Sequence, residues 1–275
     1  MSKKWIFEKN VIITGASSGI GKELVKTFLT KYNCRVLGVS RDQTKAKAFS
    51  EELASDSYSY YCFDVGVEDN WRNFADYLTK IAFFPDLIIN NAGVLPKFRS
   101  VDNTPIEVFA ETMQIDFWSA VYCVKYLDEA LSHSKTPSIV NVSSSSALAN
   151  LVGTAPYTSA KTALRAFTEC YATEQKGKKY VAVVCPGFTK TEIFRNQSQR
   201  IDSGVIGKVS TPVHKMTRKI VKGIVKRKMR MIFGKDAKIM NLFYKFMPKK
   251  SATLFSFVMR KSSLSIFNEI FEIKE

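Results

Sequence analysis

The sequence has few of the side chains that bind metals or build disulfide frameworks. Its 275 residues include two histidines and five cysteines. The cysteines form no CxxC pair, their number is odd, and no histidine stands at zinc-binding spacing from them. We therefore predict no metal site and reduced thiols, as in a cytoplasmic protein.

Long apolar runs and linker-like segments are also absent. No stretch approaches the roughly 20 apolar residues that span a bilayer, and the N-terminal residues turn polar too soon for a signal peptide. Nothing rich in proline or serine divides the chain, and its length suits one large domain. We expect a single-domain protein that is neither secreted nor transmembrane.

Acidic residues are scarce towards the end of the chain. The net charge is +16, and from Arg200 onward 18 lysines and arginines stand against five acidic residues. Aromatic platforms and groove-reading motifs of nucleic-acid binders are missing, so we predict no nucleic-acid partner. The excess charge indicates a solvated basic face or contact with an anionic membrane surface.

Short apolar runs alternate with segments of helical spacing. The predicted strands are Val11–Ile13, Cys34–Val39, Ser59–Phe63, Asp86–Ile89, Ser138–Val142, Tyr180–Cys185 and Met229–Phe233. Strands alternating with helices predict βαβ units, hence an α/β fold with a doubly wound parallel sheet over residues 1–235. Thr211 and Pro212 read as the N-cap and first residue of a later helix.

Three glycines follow the first predicted strand in the run TGASSGIG at residues 14–21. Gly15 permits a tight turn, Gly19 lets a phosphate approach the backbone, and Gly21 allows the helix to pack close to the strand. The first N–H groups of the helix then face an anion. The pattern predicts a dinucleotide pyrophosphate site.

A second motif supplies acid–base chemistry. In a helix starting near Pro156, Tyr157 and Lys161 share a face. A neighbouring ammonium is expected to lower the pKa of the phenol and make Tyr157 a general acid and base. The serine run 143–146 follows a predicted strand, where a hydroxyl is able to donate to a substrate carbonyl.

Together these motifs resemble the short-chain dehydrogenase/reductase family, in its compact single-domain branch. The resemblance covers residues 8–235 and includes NNAG at 90–93, YTSAK at 157–161 and PGFTKT at 186–191. It implies a seven-stranded Rossmann-type sheet and NAD(P)-dependent interconversion of an alcohol and a carbonyl. It also implies Tyr157 as proton donor, Lys161 as its partner on the nicotinamide ribose, and Ser144, which stands 13 residues before the tyrosine, as the carbonyl-binding hydroxyl.

The resemblance implies cofactor contacts along the whole cleft. These contacts are Gly15, Ser17, Ser18, Gly19, Ile20 and Gly21 at the pyrophosphate; Asp64 and Val65 at the adenine; Asn90 near the adenosine ribose; and Lys161, Thr189 and Thr191 at the nicotinamide end. Ala92, Gly93, Tyr157, Pro186 and Gly187 are further implied cofactor contacts. Asp64 is also read as a turn former at a strand end, and the two readings are compatible.

Charge at the end of the second strand favours NADP(H) over NAD(H). An NAD-selective protein carries an acid where this chain has Ser40, and the next residue is Arg41, whose guanidinium suits a 2′-phosphate. The alternative is that Asp42 pairs with Arg41 and leaves a surface ion pair of little consequence.

One residue departs from the family pattern. Asp116 stands where the family usually has an asparagine that helps to hold a water relay to the lysine. A carboxylate there is expected to stabilise the Lys161 ammonium and to cancel part of its pull on Tyr157. We therefore count Asp116 among the catalytic residues and predict an altered pH optimum.

The substrate is expected to be lipophilic. Residues 145–156 and 188–212 carry the apolar candidates for its pocket, which are Ala147, Leu148, Leu151, Val152, Phe188, Ile193, Phe194, Ile201, Val205 and Ile206. A fatty-acyl or sterol-like ketone fits such a lining.

Residues 236–275 extend beyond the catalytic pattern as a basic, amphipathic helical segment. They predict either peripheral contact with an anionic membrane or packing on the domain or on a second subunit of a homo-oligomer. Two other functions stay open: a catalytically silent NADP(H)-binding interaction protein, and a peripheral membrane protein with a vestigial enzyme domain.

Overall fold

A computed structural model describes residues 3–193, 210–261 and 270 of the chain. Nine strands occur in this part of the chain: β1 Asn10–Thr14, β2 Arg35–Ser40, β3 Tyr58–Cys62, β4 Leu87–Asn90, β5 Ser138–Val142, β6 Tyr180–Pro186, β7 Thr189–Lys190, β8 Thr211–Pro212 and β9 Arg230–Phe233. Its helices are α1 Gly19–Tyr32, α2 Gln43–Leu53, α3 Glu68–Lys80, α4 Ile106–Met113, α5 Ser119–Tyr126, α6 Asp128–Ser132, α7 Ala155–Glu174, α8 Val213–Val225, α9 Lys235–Phe246 and α10 Pro248–Lys261.

Seven strands form one parallel sheet in the order β3-β2-β1-β4-β5-β6-β9. Each predicted strand is present within a residue or two of its predicted bounds, and the predicted fold class is confirmed. The strand order reverses between β1 and β4, which is where such sheets open a crevice at the carboxyl ends of their strands.

The sheet is covered on both faces, as its apolar strands require. Side chains of β1 alternate between two cores: Val11 and Ile13 pack with α1 and α8, and Ile12 packs with α3 and α7. Trp71 of α3 is fully buried in the second core. The five cysteines are all free thiols.

Helix α8 starts later than predicted. Thr211 and Pro212 are a short parallel strand paired with Thr189–Lys190, and the helix begins at Val213. The backbone N–H of Thr211 donates to the carbonyl of Phe188 at 2.8 Å, so Thr211 is extended and is not the N-cap.

Helices α9 and α10 follow the last strand. Ala237 and Met240 of α9 are buried against the domain, next to the turn Ser145–Leu148. The other face of α9 and α10 exposes apolar side chains, including Ile239, Leu242, Phe246, Leu254, Phe257 and Val258. No helix in the described ranges has the length and apolarity that a membrane span demands.

Candidate active site

A cleft opens over the carboxyl ends of β1, β4, β5 and β6. It is lined by Gly15, Ser18, Gly19, Ile20, Asn91–Leu95, Phe98, Val142–Ser146, Leu151, Thr154, Tyr157, Lys161, Pro186–Thr189 and Thr191–Ile193. The glycine motif at 14–21 and the YTSAK motif at 157–161 therefore border one cavity. Their first residues are 143 positions apart in the chain.

The glycine turn has the form that an anion site needs. Gly15 and Gly19 adopt positive φ angles of 65° and 50°. A Cβ on Gly21 would lie 2.1 Å from the carbonyl oxygen of Gly15, so only glycine permits this close packing of turn and helix. The Ser18 side chain does not cap α1, which leaves the start of the helix suited to a pyrophosphate.

Thr14 ties this turn to the loop after β4. Its hydroxyl oxygen accepts hydrogen bonds from the N–H groups of Asn91 at 3.0 Å and Ala92 at 2.9 Å. The Asn91 amide donates back to the Thr14 carbonyl at 3.0 Å. Sequence reasoning missed this pair, although both residues stand inside recognised motifs.

Two predicted cofactor residues have side chains that lie away from the cleft lining. Asn90 is buried and donates to Asn141 Oδ1 at 2.9 Å, and Asn141 donates to Thr168 Oγ1 at 2.9 Å. Val65 is buried, and its carbonyl accepts from the Trp71 indole at 2.8 Å. Both side chains serve the interior of the domain.

Ser40 and Arg41, which were predicted to favour a 2′-phosphate, meet Ser17 and Asp64 at the ends of β2 and β3. The hydroxyls of Ser17 and Ser40 are 2.8 Å apart. Arg41 is 3.7 Å from a carboxylate oxygen of Asp64, whose other oxygen accepts from the Gly66 N–H. Asp42, the alternative partner of Arg41, instead caps α2 by accepting from the Lys45 N–H at 3.0 Å.

Ser144, Tyr157 and Lys161 border the cleft together. Ser144 follows β5 and accepts from the Ser146 N–H at 3.2 Å, and its hydroxyl also bonds the Tyr157 phenol. The Lys161 ammonium is buried, donates to the Val142 carbonyl at 3.3 Å, and lies 5.8 Å from the centre of the Tyr157 ring.

Asp116 faces this ammonium from beneath the cleft. It lies in a π turn, Gln114–Trp118, inserted between α4 and α5. Oδ1 accepts from the Val94 N–H at 2.8 Å, and Oδ2 is 3.8 Å from Lys161 Nζ. Complete burial raises the Asp116 pKa to about 6, although the Lys161 charge opposes the shift.

The Tyr157 pKa departs from the sequence-based expectation. It is raised, first by burial of the phenol and then by the Asp116 carboxylate, while the Ser144 hydrogen bond acts in the lowering direction. The prediction that Lys161 lowers it is wrong for this arrangement. The ammonium lies 3.8 Å from Asp116 Oδ2, and this carboxylate opposes its effect on the phenol.

The far end of the cleft follows β6. Pro186, Gly187 and Thr189 are buried, and the Thr189 hydroxyl donates to the Gly187 carbonyl at 2.9 Å. Thr191 lies across from Gly19, whose added Cβ would be 3.2 Å from the Thr191 Cβ. Asp236 of α9, which sequence reasoning missed, also contacts this segment through the Phe188 N–H.

The wall beyond Tyr157 is largely apolar. It includes Val94, Leu95, Phe98, Leu151, Phe188 and Ile193. The first three were missed, because an irregular loop gives no periodic signal. Of the other pocket candidates, Ala147 and Leu148 are buried, Val152 is not in the lining, and Phe194, Ile201, Val205 and Ile206 lie outside the described residues.

A residue near the end of the chain also reaches this wall. A Cβ on Gly153, which has a φ of 78°, would lie 2.2 Å from the Ile270 side chain. Gly153 precedes Thr154, which lines the cleft at the start of α7.

A profile described as short chain dehydrogenase matches residues 9–202. The chain belongs to this family. The resemblance inferred from its motifs is thereby confirmed.

Curated relatives of this short-chain dehydrogenase are distant. A sesame (Sesamum indicum) protein named 11-beta-hydroxysteroid dehydrogenase A is 29% identical over 199 residues, 70% of this chain and 57% of its own length. Human epidermal retinol dehydrogenase 2 is 27% identical over 252 residues, 89% of this chain and 80% of its own length.

Solved structures share the fold. A short chain dehydrogenase from Burkholderia cenocepacia, in complex with NADP, superposes with a TM-score of 0.77 at 19% identity, over 91% of this chain and 98% of that one.

Proposed function

We propose that the protein is an NADP(H)-dependent oxidoreductase that interconverts a carbonyl and a secondary alcohol on a lipophilic substrate. The observation that carries this proposal is the meeting of Ser144, Tyr157 and Lys161 in one cleft with the uncapped start of α1. When bound, the nicotinamide supplies or accepts the hydride.

The chain's own groups handle the proton and the developing charge. The Ser144 and Tyr157 hydroxyls point into one cavity and are able to donate to a carbonyl oxygen as negative charge develops on it. Tyr157 then gives up its proton in reduction and regains it in oxidation. The phenol is protonated at neutral pH, as a proton donor in reduction must be, and its pKa is raised further by burial.

The preference for NADP(H) rests on the ends of β2 and β3. Ser17, Ser40 and the exposed Arg41 offer two hydroxyls and a guanidinium for a 2′-phosphate. NAD(H) lacks that group and would gain nothing from these donors.

The lipophilic substrate class rests on the apolar wall. Leu95, Phe98 and Leu151 face the cleft beyond Tyr157, and an apolar substrate gains by burying surface against them. The names of the two curated relatives, a hydroxysteroid and a retinol dehydrogenase, point to substrates of this kind.

Titration of the purified protein with NADPH and NADH, followed by nicotinamide fluorescence, tests the proposal. We expect tighter binding of NADPH, and Arg41→Ala should weaken it about tenfold while leaving NADH unchanged, as loss of one charged hydrogen bond predicts. Arg72→Ala is the matched control, because Arg72 is an exposed arginine of α3 paired with Asp69. Failure to bind either nucleotide would refute both the enzymatic proposal and the NADP(H)-binding interaction protein.

We also propose that the exposed face of α9 and α10 contacts an anionic membrane surface. Leu242, Phe246 and Phe257 are 55%, 69% and 55% exposed. Exposed cations flank them: Lys235, Lys238, Lys245, Lys249, Lys250, Arg260 and Lys261. Apolar side chains bordered by cations match lipid tails beneath anionic headgroups.

Sedimentation with vesicles decides whether this face binds lipid. The full chain should sediment with phosphatidylserine-containing vesicles and less with pure phosphatidylcholine vesicles. The double variant Leu242→Ser, Phe246→Ser should lose most of this binding. Ile106→Ser, which removes a 73% exposed side chain from α4, should keep it. Equal sedimentation of all three proteins would overturn the proposal, and a dimer disrupted by the double variant would assign the face to a second copy.

A further inference from the structure

Asp236 is a buried carboxylate that the proposed reaction does not use. It lies in the first turn of α9 and is 9% exposed. Oδ2 accepts a hydrogen bond from the Phe188 N–H at 2.6 Å, across 48 positions of the chain. Asp236 stands outside the residues matched by the family profile.

Two glycines make room for this carboxylate. A Cβ on Gly187 would lie 2.3 Å from both carboxylate oxygens, and a Cβ on Gly234 would lie 2.4 Å from Oδ1. Gly234 also has a φ of 117°, which a residue with a side chain rarely adopts. Because positions 187 and 234 are both glycine, the carboxylate has room to reach the backbone of the loop after β6.

An acid in the first turn of a helix ordinarily stabilises that helix by its charge, and an exposed acid suffices for this. Asp236 differs because it is buried, and burial raises its pKa although the N–H groups of Phe188, Ala237 and Asp236 itself act in the lowering direction. Burying a carboxylate is unfavourable unless it makes specific contacts, and the contact that reaches beyond α9 is to Phe188.

The contacted segment is the nicotinamide end of the cleft. Gly187, Phe188 and Thr189 all line the cavity. The Gly187 N–H donates to the Phe233 carbonyl at 2.7 Å, so the last strand and α9 together fix this loop. A shift of the loop would change the surface that meets the cofactor.

We propose that Asp236 is a positioning residue, which holds the Gly187–Thr189 loop in its cofactor-binding conformation from the C-terminal helix α9. The proposal rests on the nucleotide-binding function proposed above. Asp236 is not part of the cleft lining and acts through the Phe188 backbone.

Three variants test this role: Asp236→Ala, Asp236→Asn and the control Asp86→Ala. Asparagine keeps an acceptor for the Phe188 N–H, and alanine removes it. Asp86 is another largely buried carboxylate that accepts from a backbone N–H, that of Asn10, but at the opposite, amino edge of the sheet. It therefore reports general destabilisation.

NADPH titration and amide hydrogen exchange of residues 187–189 are the two measurements. We expect Asp236→Ala to weaken NADPH binding about tenfold and to speed exchange of the Phe188 amide. Asp236→Asn should recover most of both, and Asp86→Ala should change neither at temperatures where all variants are folded. Unchanged binding and exchange in Asp236→Ala, or changes matched by Asp86→Ala, would overturn the proposal.

The two measurements separate failure of this inference from failure of the proposed function. If the wild-type protein binds no nicotinamide nucleotide, the proposed function falls. Exchange at Phe188 then still decides the positioning role. Fast exchange in Asp236→Ala with slow exchange in Asp236→Asn supports it, and equal exchange in both excludes it.

Discussion

The parallel sheet and the two C-terminal helices differ in how much of their apolar surface is buried. Each side of the sheet is sealed by helices, and strands such as β5 and β6 are buried along their whole length. Helices α9 and α10 bury one face and leave large apolar side chains in solvent on the other. The sheet and the helices that cover it form the buried cores and the cleft, whereas α9 and α10 add one contact to the cleft loop and an exposed apolar surface.

The difference shows where each kind of information lies in the chain. A buried parallel strand is a local apolar run. Each strand can therefore be predicted from five or six consecutive residues of the sequence. The contribution of α9 depends on a contact between Asp236 and Phe188, which no local pattern reports.

The largest effect is expected on turnover, in a comparison of the hydroxyls of Tyr157 and Tyr244. Tyr157→Phe removes the proton donor and should lower turnover by about 10²- to 10⁴-fold while NADPH binding persists. Tyr244→Phe removes a hydroxyl on α9 that accepts from Asn150 at 3.4 Å and should leave turnover nearly unchanged. Steady-state rates with matched nucleotide titrations measure both. Equal losses would mean that α9 takes part in the chemistry.

A second prediction contrasts the stability contributions of two aromatic side chains. Trp71→Ala empties a fully buried site and should lower the free energy of unfolding by about 3–5 kcal/mol. Phe246→Ala, at a site that is 69% exposed, should change it by less than about 0.5 kcal/mol. Urea unfolding of the two variants measures both values. A large loss in Phe246→Ala would show that this face is covered by a second copy in solution.

The smallest effect is expected for Asp116, the buried carboxylate beneath the cleft, on the pH dependence of alcohol oxidation. Above a pH of about 6, ionised Asp116 raises the pKa of Tyr157. Alcohol oxidation, which needs the phenolate, should therefore begin at lower pH in Asp116→Asn. Below a pH of about 6, Asp116 is protonated and the two profiles should converge.

The pH dependence of the oxidation rate checks this, with Glu107→Gln, an exposed acid of α4, as control. Identical profiles for wild type and Asp116→Asn would refute the role assigned to Asp116.

The sequence predicted the sheet and most of the cleft because both depend on short motifs. The turn at 14–21, Tyr157 and Lys161 each occupy one segment, and parallel strands bring their carboxyl ends together. Asn90 shows the limit of this reasoning. Its motif indicated a cofactor contact, but its side chain bonds Asn141 in the next strand, a choice set by strand register.

The raised Tyr157 pKa was also beyond sequence reasoning, for an energetic reason. Helical spacing places Lys161 on the same face as Tyr157, but the balance between burial, the ammonium and the carboxylate depends on distances of a few ångströms. The sequence identified the three groups and mistook which interaction dominates.

The π turn at Gln114–Trp118 lies between α4 and α5. Because of it, the number of residues in this segment decides which way the side chains on either part of it point. Each helical residue advances the side-chain direction by about 100°, and the π turn accommodates one more residue than an α turn would. Within the π turn Asp116 faces Lys161, and in the helix that follows it Cys123 is buried against the sheet. Deleting any single residue between them would rotate one of the two off its target, so this segment should tolerate many substitutions and no change of length.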